Sequence, residues 1–77
     1  MPLTIGEAMR QARLQAGLTL RQAAPLLGVD EATLSRYERD VVEPPLQVLM
    51  LAGRAYRSSL PQWVYLARAI RLFLEVA

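Results

Sequence analysis

The sequence predicts an all-α fold, five helices in one domain, and three observations predict it. Apolar residues recur at three- and four-residue steps through most of the chain, and no stretch shows the period-two alternation of a half-buried strand. Capping residues, glycines and prolines cut that pattern into five pieces. A chain of 77 residues can close one core only, so a single domain over 1–77 is expected, with its core in 4–60 and a terminal helix in 61–77.

Thr4 followed three residues later by Glu7 is a capping-box pattern, and Ile5, Met9, Ala12 and Ala16 keep helical spacing until Gly17, which places helix one at about 5–16. Thr19 and Gln22 repeat the capping pattern and open a short second helix that ends before Gly28, a residue able to take the left-handed conformation. Asp30 is a good N-cap for a third helix reaching about Arg39, with Val29 as a staple and Leu34 and Tyr37 on its inward side. The stretch Val41-Val42-Glu43-Pro44-Pro45 cannot be helical, and Pro45 opens a fourth helix over about 46–56. After Ser58-Ser59-Leu60-Pro61, the residues Trp63, Leu66, Ala67, Ile70, Phe73, Leu74 and Ala77 mark a long apolar fifth helix. No internal repeat or low-complexity segment interrupts this order.

Composition excludes several classes of function. With no cysteine and no histidine, disulfides, thiolate sites and the usual zinc constellations cannot be assembled, so neither a metal nor a cofactor is expected. The same absence, with no carboxylates paired at catalytic spacing, argues against an enzyme. Arginines break the apolar runs and Glu7, Arg10 and Arg13 break the opening segment, which predicts neither a membrane span nor a signal peptide and hence a cytoplasmic protein. All nine basic residues are arginine, against seven acids, for a net charge of +2. Guanidinium forks suit phosphates and guanine edges, although so mild a charge raises a nucleic-acid reading only slightly.

The informative segment runs from Thr19 to Asp40: a short helix, a tight turn at Leu27-Gly28-Val29-Asp30, and a second short helix, which is a helix-turn-helix pattern. Plain core hairpins also have this form. The wider pattern of Arg13, Leu18-Thr19, Ala24, Leu27-Gly28-Val29, Leu34-Ser35-Arg36, Tyr37-Glu38-Arg39 and Pro44 resembles the phage-repressor/Cro family, also called the XRE family, over roughly residues 5–60. The resemblance implies a sequence-specific, dimeric binder of double-stranded DNA that acts as a transcriptional regulator, in particular a repressor, at the nucleoid of a prokaryotic or phage-infected cell. It also implies that the second motif helix lies in the major groove.

Carried over by position, the resemblance gives Glu31, Ala32, Thr33 and Arg36 as the groove-facing set, with Arg36 forking onto guanine O6 and N7. Thr19, Arg21, Arg39 and Arg10 would hold phosphates. Arg13 and Glu38 resemble a buried ion pair that joins helix one to the end of helix three. Three positions in and beside the motif depart from the family. Leu20 stands where relatives usually have glutamine, Pro25 lies inside helix two and should kink or shorten it, and Asp40 replaces a glycine common after helix three.

The hydrophobic fraction of 53% is high for so small a chain. Val48 and Leu51 form a stripe with Ala55 on helix four, where relatives are usually polar, and Val64, Leu72 and Val76 give helix five a second apolar face. Both predict a homodimer through helix five, joined by helix four; the alternative is a large monomer core. A rival function is a protein-interaction module of the same fold, antitoxin-like or polymerase-binding, that docks a protein partner through helix 61–77 and binds little DNA itself.

Overall fold

Capping residues and left-handed closures set the ends of the helices in the computed structural model, which describes residues 3–76. Helix α1 spans Ile5–Gln15, α2 Leu20–Leu26, α3 Glu31–Glu38, α4 Leu46–Tyr56 and α5 Leu60–Val76, with no strand among the described residues. Each of the first two helices opens on a complete capping box: Glu7 N–H donates to Thr4 Oγ1 at 3.0 Å while Thr4 N–H donates to Glu7 Oε1 at 3.2 Å. Gln22 and Thr19 do the same at 3.1 and 3.0 Å. Asp30 caps α3 by accepting from Thr33 N–H at 2.6 Å. Two otherwise orphaned donors are satisfied by each reciprocal box, which is why sequence signals placed these starts so closely.

The turn inside the motif closes through Gly28 at φ 69°, from which Val29 N–H reaches back to the Ala24 carbonyl at 3.1 Å. Only a residue tolerant of positive φ closes a helix this way, and the closure turns the chain within four residues. Pro25 sits in the last turn of α2, which runs one residue beyond it. Its missing amide therefore shortens the helix and does not interrupt a long one. Helix α3 ends on the same kind of closure with Asp40 at φ 60°, and Val41 N–H donates to the Arg36 carbonyl at 3.0 Å.

The core is one cluster drawn from α1 to α4. Met9, Leu27, Leu34 and Leu49 are its fully buried large side chains, packed with Ile5, Ala12, Ala23, Ala24, Ala52 and Tyr56. Val48 belongs to it as well, at 7% exposure, so the expectation that it forms a dimer surface is corrected. On α4 the inward line passes through Val48, Leu49, Ala52 and Tyr56, and only Leu51 of the expected pair faces solvent, at 41%. Positions 48, 52 and 56 are each four residues apart and stack on one side, whereas 51 lies on the flank.

Helix α5 lies against α1 and α4. Its contact face is Pro61, Val64 and Tyr65, with Arg68 next along the same line, bonded to Glu43. Val64 thus turns inward, contrary to the expectation that it helps form a dimer face. The stripe Trp63, Leu66, Ile70, Phe73 and Leu74 is exposed, Trp63 by 66% and Phe73 by 72%. Leu72 and Val76 are exposed too, because the helix runs on past the body it packs against; the molecule measures 41 × 22 × 21 Å. Ala77 lies outside the described residues. No helix among the described residues is long and apolar enough to cross a membrane.

Candidate nucleic-acid interface

Helix α3 stands on the body with one side in the core and the other in solvent. Leu34 and Tyr37 are buried, while Glu31, Ala32, Arg36 and Arg39 are exposed and Thr33 is half-buried. The division follows from helical geometry: Leu34 and Tyr37 are three apart and share a face, and 32 and 36 are four apart on the opposite one. Arg36 makes no ion pair among the described residues. Arg39 turns along the helix and donates to Ser35 Oγ at 3.2 Å. The Asp30 carboxyl is held below its ordinary pKa, first by the Thr33 hydrogen bond and with a smaller push from the Arg36 charge. It stays ionised in its capping role.

Thr19 is exposed at the start of α2, and its hydroxyl accepts from Gln22 N–H. The hydroxyl proton remains a donor for a phosphate oxygen. Arg21 and Arg10 are exposed on α2 and α1. The positions given as phosphate contacts are therefore all at the surface, as are three of the four groove-facing ones.

Behind α3, Arg13 and Glu38 form a two-pronged pair. Arg13 Nε donates to Glu38 Oε2 at 2.7 Å, Nη2 to Oε1 at 2.9 Å, and Nη1 to the Leu18 carbonyl at 2.8 Å. Both residues are buried, and hydrogen bonding to Glu38 raises the Arg13 pKa further despite desolvation. One guanidinium thereby ties α1 to the end of α3 and to the loop before α2. The Tyr56 hydroxyl is buried nearby without a hydrogen-bond partner among the described residues, and desolvation pushes its pKa up to about 12.

Two features of the site were not read from the sequence as functional. Asp40 accepts from Thr4 Oγ1 at 2.6 Å and from Gly6 N–H at 3.0 Å, joining the end of α3 to the start of α1. A signal existed in the conjunction of a glycine in the first turn of a helix, where no cap requires one, with an aspartate in a left-handed position. The second is the outward stripe of α5, whose apolar spacing marked a long helix without showing which side packs.

A helix-turn-helix family model matches residues 9–63, which contain all of α1's second half, the motif and α4. The chain belongs to the XRE-type helix-turn-helix family. Among relatives, this XRE-type chain is 33% identical over 57 residues to the HTH-type transcriptional regulator ImmR of Bacillus subtilis, a match covering 74% of the chain and 45% of that protein. It is 49% identical over 43 residues to the "Putative HTH-type transcriptional regulatory protein PAE1627" of Pyrobaculum aerophilum, covering 56% of the chain and 17% of the relative. The chain thus spans less than half the length of these relatives. No solved structure matches it at comparable significance.

Proposed function

We propose that this chain is the DNA-binding unit of a transcriptional regulator of the repressor kind, reading duplex DNA with the outer side of α3. The observation that carries this reading is that side itself: it is uncovered, and Arg36 stands on it without a carboxylate partner among the described residues. A guanidinium so placed can fork onto the O6 and N7 atoms of guanine in the major groove. Thr33, Ala32 and Glu31 flank it as further base contacts, while Thr19, Arg21, Arg39 and Arg10 hold the backbone. Both relatives bear the names of HTH-type transcriptional regulatory proteins, which favours the same role for this chain, and a DNA-bound regulator would work at the nucleoid.

The reading includes a homodimer through α5. Trp63, Leu66, Ile70, Phe73 and Leu74 leave on the order of 600 Å² of largely apolar surface in solvent, near the ~800 Å² per partner of a standard interface and at the upper end of what monomers commonly show. Leu51 on α4 and, on the other side of α5 past the end of the body, Leu72 and Val76 are further exposed apolar residues open to a second copy. Two copies of α3 would then enter successive major grooves roughly 34 Å apart. Selection of bound duplexes from a random pool tests the reading. A palindromic consensus with half-sites about one helical turn apart is the expected result, and enrichment of no sequence would overturn it. The same apolar stripe favours the second reading, a module that docks a different protein. Light scattering of the purified chain separates them, because that module would run as a monomer and shift no duplex at physiological salt.

A further inference from the structure

We infer that Asp40 is a positioning residue for the reading helix: it fixes the inclination of α3 by capping the first turn of α1. The consequence for base reading rests on the DNA-binding function proposed above, whereas the geometry stands without it.

Asp40 follows α3 at φ 60°, a conformation glycine would adopt at less cost, so the backbone alone gives no reason for an aspartate here. The side chain supplies the reason. Its Oδ1 accepts the Gly6 amide at 3.0 Å, one of the donors that a helix start leaves without an internal partner. Its Oδ2 accepts the Thr4 hydroxyl proton at 2.6 Å, while that hydroxyl accepts from Glu7 N–H. The carboxylate therefore extends the capping box of α1 into a tertiary contact 34 and 36 residues away in sequence.

Gly6 is what lets the helices meet. A Cβ there would lie 2.5 Å from the Tyr37 carbonyl oxygen and 2.7 Å from that of Glu38. The positive end of α1 thus abuts the negative end of α3, with Asp40 adding charge of the favourable sign. A second tie, Glu38 to Arg13, lies seven residues along α1, roughly 10 Å away at helical rise. One attachment would let α3 swing about it. Two attachments that far apart define an angle, and base contact tolerates misplacement of only about 0.5 Å and 10–20°.

Asp40→Gly keeps the backbone conformation and deletes both acceptors; Asp40→Asn keeps a carbonyl acceptor and tolerates positive φ. Because the chain has no cysteine, spin labels at Gln11→Cys on α1 and Ala32→Cys on α3 report the angle without DNA. The expected result is a shifted or broadened label distance in Asp40→Gly, with helix content and cooperative unfolding kept, and a wild-type distance in Asp40→Asn. On a duplex selected by the wild-type chain, compared with unselected duplex, Asp40→Gly should lose discrimination on the order of tenfold, as for one misread base pair. Binding to unselected duplex should stay within about twofold, and Asp40→Asn should restore discrimination. An unchanged label distance, or equal losses on both duplexes, would overturn the inference. If the wild-type chain selects no duplex, the DNA reading falls and the label distances alone decide. Should Asp40→Gly not fold, Gly6→Ala crowds the same contact from the other side and should move the labels likewise.

Discussion

Individual residues divide here into those that hold the frame and those left free to touch something else. Arg13 spends three donors inside the protein, and its partner Glu38 is equally buried. Glu38→Ala should therefore cost about 3–5 kcal/mol in urea unfolding, because it strands a buried guanidinium; replacing both partners with apolar residues of similar volume should cost much less. Arg36 is the opposite case, exposed and without an ion pair among the described residues, so Arg36→Ala should leave stability within about 0.5 kcal/mol. The same change should cost about 1–3 kcal/mol of discrimination between selected and unselected duplex by competition binding. Tyr56 gives a pH test. Its phenol ionises at about 12 in the fold against 10.0 ordinarily, so the stability from keeping it neutral is intact below 10 and lost as pH rises through 12. That loss, on the order of 2 kcal/mol in denaturant titrations across this window, should be absent in Tyr56→Phe. Below pH 10 the variant should be as stable as the wild type or more so, since it removes a buried hydroxyl that has no partner among the described residues.

Helices of seven to eleven residues, such as α1 to α4, are marginal alone, and their caps carry a large share of what local stability they have. Thr19→Ala removes the acceptor for Gln22 N–H and should cost about 1 kcal/mol by thermal unfolding, while Thr19→Ser should recover most of it. These caps are also why the element boundaries were legible. Thr4 with Glu7, Thr19 with Gln22, and Asp30 each declare a helix start within four residues of sequence, and all three formed as read. Faces were less legible than ends. Helix α5 has apolar residues on nearly every side, so spacing alone does not say which side packs. The side that packs carries Pro61, Val64 and Tyr65.

At the scale of the molecule, the outward stripe of α5 and the outward side of α3 belong to one problem, since pairing through one sets the spacing of the other. Phe73→Glu or Ile70→Glu should give a monomer by sedimentation while leaving far-UV helicity intact, as both side chains are in solvent in the single chain. Duplex affinity should then fall steeply, because two linked half-sites become two independent ones. The five-helix architecture was legible in the sequence, as was the helix that would project. The tie from Asp40 to Gly6 and Thr4 was not, since no local pattern links residues 34 and 36 positions apart.

The sequence by itself determined where each helix begins and ends, because caps, prolines and left-handed closures act over a few residues of backbone. It also determined that α3 has a polar side available for contact, through the simple spacing of Leu34 and Tyr37. Only the tertiary structure decided which faces of α4 and α5 are buried, and that a carboxylate after α3 secures the start of α1. Those outcomes depend on what lies beneath a helix once the chain has folded, and side chains far apart in sequence compete for the same surface.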